Sequence, residues 1–185
     1  MRLINFILVI FLILTNGIKA DTETEILQNL KNGGNLIFIR HAYAPGGGDP
    51  ENFEINDCST QRNLNDLGRE QSNKIGNFFK RNQIPIDLVI SSEWCRCKET
   101  ASIAFKNFET KNFLNSFYSA KFEKNRKSQM KNLKKYVDSW NKNKNLVFVT
   151  HYVVILEALD YAPNSGEIVI ADTNFNKIGN IAINY

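Results

Sequence analysis

The chain contains few of the residues that most often bind structural metals, with two histidines and three cysteines among 185 residues. The cysteines are Cys58, Cys95 and Cys97. A zinc site would need a fourth soft ligand, and the two histidines are expected in a different site that is described below, so the sequence does not offer one. The chain also lacks linkers, internal repeats and low-complexity segments, so nothing divides it into several domains. Its 43% of hydrophobic and 23% of charged residues are typical of one globular domain.

A large excess of charge is absent as well. The net charge is +4, and it falls to +2 without residues 1–20, which hold two basic residues and no acidic one. This value does not indicate a nucleic-acid-binding protein. Lysines nevertheless crowd residues 121–144, where apolar side chains recur at helical spacing, namely Met130, Leu133, Val137 and Trp140. The pattern predicts an amphipathic helix with a solvated lysine face; the alternative is a surface that gathers anionic substrates or contacts an anionic membrane.

Residues 1–20 have the order of a secretory signal: a basic start, an apolar run over 3–14, then polar and small residues. The run is short for a membrane-spanning helix. The sequence therefore predicts an exported protein, periplasmic or secreted, whose domain covers 21–185. Ile18 is not the ideal residue three places before the cut, so an uncleaved membrane anchor is the alternative. No cysteine follows the run, which argues against lipoprotein processing.

Export would place the cysteines in a compartment where thiols can oxidise. We therefore expect a disulfide from Cys58 to either Cys95 or Cys97. The spacing does not choose between these partners, and one thiol stays unpaired in either case.

Helical and strand patterns alternate along 21–185. The patterns predict helices over 22–31, 65–81, 94–105, the lysine-rich stretch and 153–159. They predict strands over 36–40, 87–91, 146–150 and near 113–114, with 167–170 and 177–183 as a pair of edge strands. Asn65 should cap the second helix, whose inward residues are Leu67, Ile75, Phe78 and Phe79. This alternation indicates an α/β fold of three layers, with a mostly parallel central sheet and helices on both faces.

Each of the two histidines directly follows a short apolar run that has the features of a buried strand. Residues 35–40 lead into His41, and residues 145–150 lead into His151. In an open parallel sheet, ligands bind in the crevice beyond the carboxyl ends of the strands. We therefore expect the two imidazoles to converge there from distant parts of the chain.

Three arginines accompany these histidines. Arg40 precedes His41, Arg62 follows a glycine-rich loop, and Arg96 lies just past the end of the second strand. Their forked donors match the oxygens of a phosphate better than those of a carboxylate or a neutral sugar. A neutral imidazole can attack phosphorus and give an N–P bond that water breaks, so the chemistry needs no metal and no other cofactor.

Four segments resemble the signature segments of the histidine phosphatase superfamily, which has the phosphoglycerate mutase-like fold. They occur in the order Arg40-His41-Ala42, Leu64–Gln71, Val89–Ala101 and Val149-Thr150-His151. The resemblance implies that His41 is the phosphorylated nucleophile. It also implies that Arg40, Arg96 and His151 bind the phosphoryl oxygens. Arg62 matches no arginine of the family, and its role in phosphate binding is inferred from its position alone.

The residue that would protonate the leaving alcohol is not evident from the resemblance. The family uses a glutamate after the second signature arginine or an aspartate beside the last histidine, but here Tyr152 follows His151. The candidates are Glu123, Asp57 and Asp49, the last two from the loop that flanks the site.

The sequence lacks the glutamate and arginine elements with which mutases hold a sugar diphosphate, so a phosphatase is favoured over a mutase. The chain is similar to small exported members that act on phosphorylated heptose in lipopolysaccharide. The expected substrate is thus a phosphorylated small molecule or an envelope glycan or lipid phosphate. The alternative is a phosphate-binding module of the cell envelope that has lost catalysis, although a module of that kind has no need of His41 as a nucleophile.

Overall fold

A computed structural model describes residues 24–185, so the predicted signal over 1–20 and the start of the mature chain lie outside the described residues. The strands are β1 (Leu36–Arg40), β2 (Ile86–Ser91), β3 (Glu109–Thr110), β4 (Asn145–Thr150), β5 (Ile168–Ala171) and β6 (Lys177–Ile181). The helices are α1 (24–32), α2 (Asp66–Arg81), α3 (Cys95–Phe105), α4 (Ala120–Glu123), α5 (Arg126–Asp138) and α6 (Tyr152–Leu159). Among them, no helix combines the length and the apolar character needed to cross a membrane.

The six strands form one sheet in the order β3-β2-β4-β1-β5-β6. The pairs β3–β2, β2–β4 and β4–β1 are parallel, whereas β5 pairs antiparallel with both β1 and β6. The central strands β1 and β4 are neighbours, and Arg40 at the end of β1 lies opposite Thr150 at the end of β4. The residues that follow these two strands, His41 and His151, therefore leave the sheet side by side.

Apolar side chains cover both faces of the sheet. One cluster joins α1, α2 and α3 to one face through Leu30, Ile75, Phe79 and Ala101, which pack with Ile37, Ile39, Val147 and Val149. The other cluster joins α5 and α6 to the opposite face through Leu133, Val137, Val154 and Ile155, which pack with Leu36, Phe38, Leu146 and Phe148. Because β1 and β4 are buried on both sides, they are continuous apolar runs rather than alternating ones. The predicted three-layer α/β fold is confirmed.

The second helix begins as the sequence predicts and lies against the loop that follows His41. The side chain of Asn65 caps it by accepting a hydrogen bond from the backbone N–H of Gly68. A Cβ atom on Gly68 would collide with the carbonyl oxygen of Tyr43, so only glycine permits this close approach. Through this contact, α2 supports the first turn of the chain beyond the candidate nucleophile.

Three details of the sequence prediction are wrong. The run near Phe113 is not a strand but a 3-10 turn over Asn112–Leu114, whose apolar residues pack under α5. A short apolar run fits a buried turn as well as a strand. The strand β3 lies just upstream, and both of its residues are exposed. Leu67 is 44% exposed, because it lies in the first turn of α2 on the side away from the sheet. Finally, β5 is not an edge strand, because it lies between β1 and β6; the edges of the sheet are β3 and β6.

Candidate active site

A cleft of about 460 Å³ opens where β1 and β4 end and α3 begins. It contains all five of the cationic and imidazole side chains predicted from the sequence: Arg40, His41, Arg62, Arg96 and His151. The other residues that line it come mainly from the glycine-rich loop and from the segment around α4, including Gly46, Gly47, Gly48, Asp49, Glu51, Phe53, Trp94, Ser116, Tyr118, Lys121, Phe122 and Tyr152. The structure thus gathers residues from four separate parts of the chain in one cleft.

His41 is held as a neutral imidazole with one nitrogen free to react. Its side chain is nearly buried, and its Nδ1 atom lies 2.9 Å from the carbonyl oxygen of Ala42. A carbonyl oxygen only accepts, so the proton is on Nδ1 and the lone pair is on Nε2. Burial and then the charge of Arg96 lower the pKa of His41 well below its usual value. The ring is therefore neutral and nucleophilic at Nε2 near neutral pH.

His151 faces His41 across the cleft, with 5.5 Å between the two ring centroids. Its Nε2 atom lies 3.0 Å from the hydroxyl oxygen of Ser92. Burial lowers the pKa of His151 well below its usual value, and the charge of Arg96 lowers it further. The second imidazole is consequently also neutral in the unliganded cleft.

Arg96 is a buried cation that lies between His41 and a carboxylate. Its Nε atom is 3.3 Å from Nε2 of His41, while Nη1 and Nη2 donate to the two carboxylate oxygens of Asp49 at 2.7 and 3.1 Å. One end of the guanidinium fork is thus fixed by Asp49, and the Nε edge is turned toward the candidate nucleophile. This edge is placed to bind an oxygen of a phosphoryl group that His41 attacks.

The other two arginines differ in what they can bind. Arg40 donates from Nη1 to the carbonyl oxygen of Pro163 at 2.9 Å, and its guanidinium lies 5.3 Å from the centre of the Tyr152 ring. Arg62 donates from Nε to the carbonyl of Gly48 at 2.9 Å and from Nη1 to the carbonyl of Ala44. Arg62 lines the cleft, and two of its five N–H donors hold the loop that contains Ala44 and Gly48.

Comparison with known families agrees with this geometry. The family model described as the histidine phosphatase superfamily, branch 1, matches residues 36–148, which is more than half of the chain. The chain belongs to the histidine phosphatase superfamily. The match includes Arg40, His41 and Arg96 and ends three residues before His151, which the fold places beside them.

Solved structures share the fold of this superfamily member at low sequence identity. Phosphoglycerate mutase from Thermus thermophilus superposes with a TM-score of 0.57 at 13% identity, covering 81% of this chain and 99% of that one. The protein histidine phosphatase SixA complexed with tungstate gives 0.53 at 15% identity, covering 77% and 92%. The putative phosphohistidine phosphatase SixA from Agrobacterium tumefaciens gives 0.55 at 17% identity, covering 80% and 97%. Among curated protein sequences, none matches this chain significantly.

The three candidate proton donors lie in different surroundings. Asp57 is exposed and caps a 3-10 turn by accepting from Ser59, and a hydrogen bond from Ser59 lowers its pKa. Glu123 is exposed on α4 and lies 3.7 Å from Arg126. Neither of these two carboxylates lines the cleft, because each is turned to solvent beside a local partner. The structure therefore does not bring them to the histidines.

Asp49 does line the cleft, but as an ionised group. Its oxygens accept from both Nη atoms of Arg96, from Nε1 of Trp94 at 3.1 Å and from the backbone N–H of Arg62 at 3.1 Å. Burial raises the pKa of this carboxyl, but the hydrogen bonds and charge of Arg96 outweigh the burial and leave the pKa below its usual value. Glu51, two residues further along the same loop, also lines the cleft and was missed in the sequence analysis.

Cys95 and Cys97 lie at the start of α3, and Cys58 lies in the 3-10 turn Cys58–Thr60. Cys58 and Cys95 form a disulfide, which selects one of the two predicted pairings, and Cys97 is a buried free thiol. Burial raises the pKa of Cys97 to about 12, so this thiol is protonated and unreactive. Within residues 24–185, no three His, Cys, Asp or Glu side chains are grouped as metal ligands.

The disulfide should make a large contribution to stability, because it closes a loop with a sequence separation of 37. Replacing both Cys58 and Cys95 by Ser should lower the free energy of unfolding by about 3 kcal/mol. Urea unfolding with and without a reductant measures this. The reductant should destabilise the wild-type protein to the same extent and should leave the double variant unchanged; equal sensitivity of both proteins would contradict the assignment.

The two buried histidines should make the protein less stable in acid. The folded-state pKa of each lies well below the usual 6.5, so below about pH 6.5 the unfolded chain binds protons that the folded protein does not. The stability present above this pH should therefore fall with decreasing pH, by about 1.4 kcal/mol per pH unit for each histidine. Urea unfolding between pH 7 and pH 5, without phosphate, should show this slope, and His41→Asn should roughly halve it. A flat profile would show that the rings are protonated in the fold.

Proposed function

We propose that the chain is an exported phosphomonoesterase that hydrolyses phosphate esters through a phosphohistidine at His41, without a metal. The observation that supports this most directly is the position of Arg96, whose Nε–H donates at 3.3 Å to the unprotonated Nε2 atom of a neutral, buried His41. A cation at this distance from a nucleophile stabilises an anionic group that is under attack. A site that only binds phosphate gains nothing from an unprotonated imidazole nitrogen.

The reaction would proceed in two steps at phosphorus. In the first step, Nε2 of His41 attacks phosphorus, the P–O bond to the alcohol breaks, and the alcohol oxygen takes a proton. In the second step, water attacks phosphorus, the P–N bond breaks, and inorganic phosphate leaves with His41 neutral again. Arg40, Arg96 and His151 would neutralise the charge that spreads over the phosphoryl oxygens in both transition states.

The size and lining of the cleft support hydrolysis of esters of sizeable alcohols. A volume of about 460 Å³ is far larger than a phosphate group requires, so part of the alcohol is bound as well. Phe122, Tyr118 and Tyr152 also line the cleft, and Lys121 and Glu51 add two more charged side chains to its lining. We therefore propose a phosphorylated small molecule, or a phosphate group of an envelope glycan or lipid, as the substrate.

Release of inorganic phosphate is the test of this function. The purified protein should release phosphate from 4-nitrophenyl phosphate at the same rate with and without a metal chelator. Transfer of phosphate to an added sugar phosphate in place of water would identify a mutase. Saturable phosphate binding with no release above the rate in buffer would identify the non-catalytic module instead.

We expect Glu51 to protonate the leaving alcohol, because its carboxylate lines the cleft and pairs with no cation among residues 24–185, whereas Asp49 is held ionised by four N–H donors. Glu51→Gln should lower kcat about 100-fold on an alkyl phosphate, whose alcohol needs a proton to leave. The same variant should change turnover of 4-nitrophenyl phosphate by less than about threefold, since nitrophenolate leaves unaided. The paired variant Glu123→Gln should affect neither substrate, and an equal loss on both substrates would reject the role of Glu51.

Export and surface contact form the remaining part of the proposal. We propose that cleavage after residue 20 releases the protein to the periplasm or the medium, which sequencing of the mature N-terminus would test against a retained anchor.

The lysines of α5 and its flanks are exposed, and Lys121 connects this lysine face with the cleft. We propose that this face contacts anionic lipid near the substrate. Sedimentation with anionic vesicles that is lost at high salt would support this contact.

A further inference from the structure

A chain of polar groups lies behind His151, outside the cleft, with Ser92 buried and Asn115 and Glu93 half-buried. Nε2 of His151 is 3.0 Å from Oγ of Ser92, and this oxygen is 3.0 Å from Oδ1 of Asn115. The amide of Asn115 is in turn bonded twice to Glu93: its Oδ1 accepts from the backbone N–H at 2.9 Å, and its Nδ2 donates to the carboxylate at 2.6 Å. The reaction described above uses none of these three residues.

The direction of every hydrogen bond in this chain follows from its far end. The backbone N–H of Glu93 can only donate and its carboxylate only accepts, so the Asn115 amide has one possible orientation, with Oδ1 toward Ser92. Because Oδ1 only accepts, the single proton of the Ser92 hydroxyl must point to Asn115. The Ser92 oxygen is then left to accept, and the ring of His151 must carry its proton on Nε2.

The two histidines are therefore held in opposite tautomers. His41 is bonded to Ala42 through Nδ1–H and presents the bare Nε2 atom, as a nucleophile must. His151 is bonded to Ser92 through Nε2–H, and its Nδ1 has no partner among residues 24–185. A neutral ring in this state cannot donate a hydrogen bond to a phosphoryl oxygen, because its free nitrogen carries a lone pair.

We propose that His151 binds the phosphoryl group only as an imidazolium, by taking one proton from the solvent onto Nδ1 when a dianion enters the cleft, with Ser92 and Asn115 as positioning residues. The inference rests on the proposed phosphoryl site. In the empty cleft, burial and then the positive charges of Arg96, Arg62 and Arg40 keep the ring neutral, while the other titratable groups that face it, His41 and the thiol of Cys97, are uncharged. A bound dianion reverses this balance, since an adjacent negative charge favours the charged imidazole.

The chain contains only two histidines, so NMR can observe both tautomers directly. Long-range proton–nitrogen spectra of protein labelled with ¹⁵N-histidine should show one ring protonated at Nδ1 and the other at Nε2, which His151→Asn assigns. Tungstate is the probe, because this dianion brings no proton near neutral pH. Its addition should convert only His151 to the imidazolium. Calorimetry in buffers of different ionisation enthalpy should show uptake of about one proton per tungstate bound.

Ser92→Ala tests the positioning role, and Ser91→Ala is its matched control. Both serines are fully buried, but the hydroxyl of Ser91 donates to the backbone carbonyl of Ser92 and does not contact His151. Ser92→Ala should give a mixture of His151 tautomers and weaken tungstate binding about tenfold, whereas Ser91→Ala should preserve the Nε2–H tautomer. Two rings in the same tautomer, or tungstate binding without proton uptake, would overturn the inference. The tautomers are measured without turnover, so this result is separate from whether His41 becomes phosphorylated.

Discussion

Replacement of His41 by alanine should reduce phosphatase turnover by at least about 10⁴-fold, because the variant has no group that can form the covalent intermediate. The remaining arginines can still bind phosphate but have nothing with which to attack it. Steady-state release of phosphate from 4-nitrophenyl phosphate measures the loss. This ester makes the test strict, because nitrophenolate leaves without a proton donor. A loss of turnover therefore reports on the attack at phosphorus.

The His41→Ala protein should still be folded and should still bind tungstate. Retained tungstate binding would show that the variant has lost the nucleophile and has kept the phosphate-binding site. Thermal unfolding checks that the variant is folded. His151→Ala is the informative partner variant, because it removes an imidazole from the same cleft but leaves Nε2 of His41 in place. This variant should lose activity but should still form a phosphohistidine. Turnover near the wild-type rate in His41→Ala would refute the mechanism.

Arg96→Met should damage both stability and catalysis, and the two effects should be separable. Removing the guanidinium leaves the Asp49 carboxylate, whose side chain is 17% exposed, with only Trp94 and a backbone N–H as partners. We expect a loss of about 2 kcal/mol in the free energy of unfolding, less than for a fully buried pair because water reaches the carboxylate. The value of kcat/KM should fall about 10³-fold, because the same guanidinium faces the attacked phosphoryl group.

The double variant Arg96→Met with Asp49→Asn separates the two effects. It removes the uncompensated carboxylate and should regain most of the lost stability, while its activity should stay as low as that of Arg96→Met. Arg69→Met is the control on the surface: Arg69 pairs with Asp66 and Glu99 in solvent, so its loss should change the stability by less than about 0.5 kcal/mol. Recovery of activity in the double variant would show that Arg96 acts only by balancing Asp49.

The parts of the site that follow a strong strand pattern could be predicted from the sequence. His41 and His151 directly follow buried runs in neighbouring parallel strands, so their separation along the chain did not hide their proximity in space. Arg96 lies in the first turn of α3, just beyond β2, and the same edge rule applies to it. For these residues, the end of a strand determines the position of the side chain.

The loop that carries Asp49 and Glu51 could not be predicted in this way. Gly46 and Gly48 have positive φ angles, and many backbone paths are open to such a segment, so the sequence does not determine which carboxylate reaches Arg96. The same limit applied to Arg62, whose bonds to loop carbonyls are visible only in the folded chain. Glu123 was a candidate by its distance after Arg96 and Asp57 by its place in the loop that flanks the site, and both are turned to solvent.

The contacts behind the site were hidden for a different reason. Ser92 and Asn115 are 23 residues apart, and neither is a type of residue that stands out in a sequence. Thr100, within one of the recognised segments, donates to the carbonyl of Arg96 and accepts from the N–H of Ala42, which ties α3 to the turn after His41. Such residues act by orienting others, and only the hydrogen-bond partners reveal them.

The most direct test of the account is to trap the phosphorylated protein. Brief incubation with a ³²P-labelled phosphate ester, followed by denaturation and peptide mapping, should place acid-labile, base-stable phosphate on the peptide that contains His41. The label should be absent in His41→Ala and should disappear from the wild-type protein when unlabelled substrate is added. Efficient turnover with no label at His41, or label on any other residue, would contradict the central claim that this imidazole attacks phosphorus.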